Sequence, residues 1–379
     1  LGGDSIKAIR IVSKMRNAGY TVSIKEIMSR YTVEAIAYAV VAASGNDYEQ
    51  HEVTGSVIPT PIVQEFASWQ LPKPHHFNQD MLLEIDLDDE VSIKQVLTAL
   101  AVHHDILRSV YRNGRLEIRG SRESELYEFQ VFDLRAEDRV AARIEAACTE
   151  LHSSMDLEQG PLMKAALFRT GEGSLLFISL HHLVVDGVSW RILQEDLSTA
   201  MQQVKAGQSI SLPAKTASFK EWAEALEEYR SSRQLQKERS YWETIASKME
   251  AGPLALEENT GESGYDSLEI TLSREETEQL VHRAGRAFNT EINDLLISAI
   301  GMTVQRLTGQ AIVSVGLEGH GREEIHKQVD IDRTVGWFTS IYPIVVECRE
   351  DVFESIVSTK EMLRKVPNHG LGYGLLKQE

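Results

Sequence analysis

The chain has 379 residues, 42% of them apolar and 25% charged, a balance typical of globular proteins, and its length predicts two or three folded units. Its formal net charge of −18 argues against nucleic acid or an anionic membrane as partner. No run of about 18 apolar residues offers a membrane span, and the start, Leu1-Gly2-Gly3-Asp4-Ser5, has neither a signal peptide's basic and apolar regions nor an initiating Met, so a piece of a longer chain is expected.

The charge is uneven. Residues 1–44 carry six basic side chains against three acidic ones, so a small basic unit precedes a large acidic one. Cys148 and Cys348 stand alone, with no ligand-like spacing; two buried thiols, no metal and a reducing cytoplasm are expected.

Ser5 opens a predicted helix lined by Ile6, Ile9, Val12 and Met15 and closed by Gly19. A short helix fits Ser23–Arg30, and Thr32 should cap a third through about Ala43. Residues 45–57 are polar and aperiodic and read as a linker. Pro61 suits the first turn of a helix to about Gln70. Met81–Ile85 reads as a strand. Ser92 to about Val110 reads as a helix containing His103-His104; adjacent helical residues point about 100° apart, so this pair is expected to be structural. Strands at about 109–111, 115–119 and 128–132 precede a helix over roughly 137–153, and Met163–Phe168 and Leu175–Leu180 are apolar strands.

The second apolar strand ends in His181-His182-Leu183-Val184-Val185-Asp186-Gly187-Val188-Ser189-Trp190. Ser189 is expected to cap the next helix, which carries Trp190, Leu193, Leu197 and Ala200 at helical spacing and ends near Gly207. Two histidines leaving a buried strand before an Asp-Gly turn form a loop held by rigid elements, where chemistry is usually carried. Helices are predicted around Phe219–Leu226 and Tyr241–Ala246. Residues 252–266 read as loop. A capping box at Ser273–Glu276 should start a helix to about Ala287. An apolar helix over 293–307, a strand over 311–316 running into Leu317-Glu318-Gly319-His320-Gly321-Arg322-Glu323, a strand over 341–346 and a helix over 353–365 complete the series. Residues 58–379 therefore read as mixed α/β in two lobes.

Leu1-Gly2-Gly3-Asp4-Ser5 and the helices after it resemble a carrier protein of nonribosomal peptide synthetases. That resemblance implies 4′-phosphopantetheine carried covalently on Ser5, attached by a phosphopantetheinyl transferase. His181-His182-x-x-x-Asp186-Gly187 is similar to the active-site motif of the chloramphenicol acetyltransferase-like superfamily, which contains condensation and epimerization domains. The series Val188–Leu193, Glu318–Glu323, Arg333–Pro343 and Pro367–Gly374 resembles epimerization domains in order and spacing. The organisation so implied is a carrier protein's C-terminal part over 1–44, a linker over 45–57, and epimerization-domain lobes over 58–230 and 231–379, the second lacking strands and a helix that the family carries further on.

The implied function is inversion at the α-carbon of an aminoacyl or peptidyl thioester, next to an upstream adenylation domain and a downstream condensation domain. In this resemblance His182 and Glu318 are catalytic, and His181, Asp186, Gly187, Ser189 and Tyr342 support them. A neutral histidine suits proton removal near neutral pH, and a second group must serve the opposite face. Ser189, Thr339 or Tyr342 is a candidate donor to the thioester oxygen. The competing expectations are a condensation domain forming amide bonds and a carrier-docking module without chemistry.

Overall fold

A computed structural model describes residues 8, 11–12, 14–15, 18–22, 24–30, 32–42, 48, 50–122, 125–249, 267–286, 288–325, 329–347 and 349–377. Ser5 and its Gly-Gly-Asp approach, the loop over 252–266, and Cys348 lie outside the described residues. The chain divides into two compact units. The first takes residues up to 229 together with 324–339, and the second takes 230–323 and 340–379.

In the first unit, β1 (Tyr20–Thr21), α1 (Ile24–Ser29), α2 (Val33–Ala37) and β2 (Val41–Ala42) come first. Thr32 caps α2 as expected, accepting from the Ala35 N–H at 3.2 Å. The helix is much shorter than its apolar spacing suggests, because Val41–Ala42 leaves it to pair antiparallel with β1.

The expected linker is partly built in. β3 (Gly55–Ser56) is followed by α3 (Pro61–Ser68), β4 (Asn78–Ile85), α4 (Glu90–His103), β5 (Ser109–Arg112) and β6 (Arg115–Ile118), and β3 hydrogen-bonds to β6 at the edge of a three-stranded sheet. The buried Arg108 guanidinium donates to the carbonyls of Val53, Ala101, Val102 and Arg119 and to Asp105. Asp105 also accepts from the Val53 N–H and Lys215. A buried charge is tolerable only with this much hydrogen bonding. The same network explains why α4 stops at His103, well short of Val110: Asp105–Arg108 turns tightly to aim both side chains inward. At its other end, Asp89 caps α4 through the Ser92 N–H, so the helix starts before Ser92.

β7 (Glu128–Asp133), α5 (Val140–Ser153), β8 (Met163–Arg169), β9 (Ser174–His181), α6 (Gly187–Lys205) and α7 (Phe219–Arg230) complete this unit's elements. Its four-stranded sheet runs β4-β9-β8-β7, with only β7 and β8 parallel. β8 is buried from Met163 to Phe168 and β9 from Leu176 to His181, as largely apolar strands should be in mid-sheet. β4, at the edge, alternates. Cys148 on α5 is half-buried against the Leu151–Phe168–Phe177 cluster, and burial pushes its thiol up to about 11.

Asp186, not Ser189, caps α6. Its backbone is extended, and its carboxylate accepts from the Ser189 N–H at 2.7 Å, so Gly187 and Val188 already lie in the first turn.

Residues 324–339, expected in the C-terminal lobe, return to the first unit. The Ser189 hydroxyl donates to Gly336 O at 2.8 Å and accepts from Gly336 N at 3.0 Å. Arg333 pairs with Asp196, whose other oxygen meets His104 Nε2 at 2.9 Å. The Thr216 and Thr334 hydroxyls lie 2.9 Å apart. Gly336 packs so closely on Phe219 that a Cβ would overlap its ring.

The second unit holds α8 (Arg233–Met249), α9 (Arg274–His282), α10 (Ile292–Thr308), β10 (Ile312–Gly319), β11 (Ser340–Glu347), α11 (Val352–Arg364) and α12 (Leu371–Leu376). The expected capping box at Ser273 and Glu276 is formed. β10 and β11 pair antiparallel over their full length, and Trp242, Ile297, Val313, Tyr342, Ile344 and Val346 form the core around them. Among the described residues no helix is long and apolar enough to cross a membrane.

Gly336→Ala should lower stability by roughly 1–3 kcal/mol, the usual cost of overpacking. Urea denaturation against the wild type measures this, and an unchanged midpoint would show that Phe219 can move aside.

Candidate active site

The loop after β9 is held by backbone bonds at both histidines. His181 N donates to Leu162 O at 3.0 Å and His182 N to Phe77 O at 2.9 Å. His181 is fully buried. Its Nε2 donates to Pro74 O at 2.9 Å, and its Nδ1 accepts from Leu183 N at 3.2 Å. Both bonds suit a neutral ring, and burial pushes this imidazole down to about 4. His181 is thus a structural residue of the loop.

His182 is half-buried. Its ring stacks on Phe77 at 5.1 Å and meets Trp337 at 4.5 Å between centroids. Nδ1 lies 2.8 Å from Val185 O, and Nε2 lies 2.8 Å from Gln79 Nε2. Gln79 Oε1 in turn accepts from Trp190 Nε1–H at 2.9 Å. The imidazole has one polar edge tied to its own loop and the other tied to β4.

Asp186 is buried and works with both oxygens. One caps α6, and the other accepts from Phe338 N at 3.1 Å. Gly187, the first residue of α6, is exposed. Ser189 is fully buried with its hydroxyl proton committed to Gly336 O, so it is structural and is not available to a thioester oxygen. These bonds place Trp337 against His182. The Trp337 indole N–H is buried and has no hydrogen-bond partner among the described residues.

In the second unit, Glu318 lies within β10, opposite Ile341, with an exposed side chain. Gly319 follows because a Cβ there would come within 2.7 Å of Ser340 Oγ and 3.0 Å of His369 O. Glu323 holds His369 Nδ1 at 3.1 Å and His320 Nε2 at 3.6 Å. The Glu323 hydrogen bond raises the His369 imidazole above its usual range. Tyr342 is buried on β11, packed against Gly370 so that a Cβ there would overlap its ring. Burial, helped by Glu323, pushes its phenol up and keeps its proton on at neutral pH.

His103, His104 and Asp196 bring ligand-type atoms within 4.8 Å of one another. Asp196 is already paired with Arg333, and the cations Lys215 and Arg333 help depress His103 to about 4 after burial and His104. Two neighbouring cations oppose a divalent ion, and the cluster serves packing.

Sequence reading missed Gln79, Phe77 and the Glu323–His369 pair. Asn78-Gln79 extends the strand predicted from Met81, but nothing local marks Gln79 as facing a histidine about a hundred positions away.

The family model described as the condensation domain matches residues 62–379. The chain belongs to the condensation domain family. This condensation-family chain is 40% identical over its whole length to surfactin synthase subunit 1 of Bacillus subtilis (strain 168), spanning 11% of that protein. It is also 40% identical to tyrocidine synthase 1 of Brevibacillus parabrevis, again over all of this chain and 35% of that one. It therefore spans only a minor part of these relatives. Among solved structures, the epimerization domain from the third module of tyrocidine synthetase B is 38% identical, with a TM-score of 0.77 over 87% of this chain and 77% of that one. The first condensation domain of the calcium-dependent antibiotic synthetase shares the fold, with a TM-score of 0.64 at 20% identity over 84% of this chain and 76% of that one.

The buried neutral His181 gives an acid sensitivity of definite sign. Its folded-state pKa is depressed, so between about pH 6.5 and 4 the unfolded chain binds a proton that the folded chain refuses, and stability falls as pH falls. The loss attributable to this ring should reach about 2–3 kcal/mol by pH 4.5. Urea midpoints at pH 7 and 4.5 test it: His181→Gln should lose less on acidification than the wild type, and equal losses would contradict the assignment.

Proposed function

We propose that this chain inverts the α-carbon of an aminoacyl or peptidyl thioester within a nonribosomal peptide synthetase. The observation that carries the reading is Trp337 on His182. Gly336–Phe338, within the segment 333–343 that resembles epimerization domains, wall the histidine site through Ser189–Gly336, Asp186–Phe338 and the Trp337 ring. The 38% identity to an epimerization domain supports the same choice.

The proposed 4′-phosphopantetheine on Ser5 would hold the substrate as a thioester and keep it at high effective concentration. Ser5 lies outside the described residues, so the chemistry rests on the other named groups. His182 and Glu318 would be the two acid–base groups. One takes the α-proton while the C–H electron pair moves into the thioester carbonyl. The other then returns a proton to the opposite face, and both re-equilibrate with solvent. The charge on the thioester oxygen needs a donor. Ser189 is committed elsewhere, whereas protonated Tyr342 and the Trp337 indole N–H are candidates. Adjacent adenylation and condensation domains and a phosphopantetheinyl transferase are the partners this reading requires.

Amide-bond formation is the second reading, supported by the description of the matched family model. The test uses the pantetheinylated chain loaded with an L-aminoacyl group in deuterated water. Inversion predicts α-deuterium incorporation and an L/D mixture, with His182→Ala and Glu318→Gln each slowing exchange by roughly 10²–10⁴-fold. Intact exchange in both variants would refute the mechanism, and amide formation with a second loaded carrier without exchange would favour the second reading.

A further inference from the structure

The two hydrogen bonds at His182 define where its ring proton sits. An indole N–H can only donate, so the Gln79 atom facing Trp190 must be the amide oxygen. The amide's other end is therefore its NH2 group, and it faces His182 Nε2 at 2.8 Å. An NH2 group only donates, so Nε2 must be the acceptor. On the ring's other edge, Nδ1 faces the carbonyl of Val185 at 2.8 Å and must carry the proton. No other arrangement satisfies all four groups.

We propose that Gln79, oriented by Trp190, is a positioning residue that fixes His182 as the neutral Nδ1–H tautomer with Nε2 as its proton acceptor. Its bearing on turnover rests on the reading of His182 as an acid–base group. Its bearing on the ring does not.

The arrangement has a chemical consequence. Gln79 covers the lone pair that would receive the α-proton, so substrate must displace this amide or approach beside it. Once Nε2 is protonated, the Gln79 NH2 faces another donor and is repelled. The neighbouring ring differs. His181 carries its proton on Nε2, toward Pro74 O, and accepts at Nδ1. Consecutive histidines are thus held in opposite tautomers, and one spectrum can distinguish them.

The test is a long-range 1H–15N correlation spectrum of the full chain labelled at histidine, with His182 assigned from its loss in His182→Ala. The wild type at neutral pH should show the His182 proton on Nδ1. In Gln79→Glu, one carboxylate oxygen still accepts from Trp190 while the other faces Nε2, which should become protonated. The same variant should slow α-proton exchange by roughly 10²-fold or more with little change in KM and shift the acidic limb of the pH–rate profile upward. A wild-type ring with its proton on Nε2, or an unchanged ring in a folded Gln79→Glu chain, would overturn the proposal. The spectra need no substrate. A wild type that shows Nδ1–H but no exchange would therefore refute the proposed function and leave the tautomer assignment standing.

Discussion

The Asp186 carboxylate is the constraint on which the histidine site depends. One oxygen holds the start of α6, and the other holds Phe338 N. With Ser189 reaching Gly336, two residues of one helical turn anchor a segment about 150 positions later in the chain. Each bond is worth only about 1–3 kcal/mol, yet leaving a buried carboxylate oxygen unpaired would cost at least as much. The interaction is therefore better described as a geometric requirement than as a source of net stability. It puts the Trp337 ring beside His182 and leaves no room for anything larger than glycine at position 336.

Much of the architecture is legible from residue patterns. The largely apolar runs before His181 and at Met163–Phe168 become mid-sheet strands, and the Ser273 capping box forms as its spacing requires. Other features are hidden because non-local contacts decide them. Ser189 has the composition of an N-cap, but Asp186 three residues earlier takes that role, and the hydroxyl is drawn to Gly336 instead. Polar residues 50–56 look like a tether, yet Val53 is fixed by Asp105 and Arg108, and Gly55–Ser56 joins a sheet.

The site shows the same division. His182 and Asp186 stand out because their spacing is short and their neighbours are apolar. Gln79 is invisible in the sequence, since its importance comes from strand register: β4 pairs with β9 so that Gln79 lies opposite Leu180, next to the loop that carries His182. Glu318 is marked by its glycine neighbour. Its setting within β10, opposite Ile341, emerges only from the pairing with β11.

The path of residues 320–339 also bears on how this protein can be assembled. β10 and β11 form an antiparallel pair in the second unit, but most of the chain joining them is packed into the first. What would otherwise be an ordinary hairpin connection is a long excursion whose closure depends on non-local contacts, and such contacts carry an entropic cost before they are rewarded. Separating the chain near residue 230 would therefore not yield two autonomous halves. The first fragment would lose one side of its histidine chamber, and the second would retain a strand pair whose connecting chain has no surface to fold onto. Integrity of the loop around His182 is thus set by a segment encoded about 150 positions later in the chain.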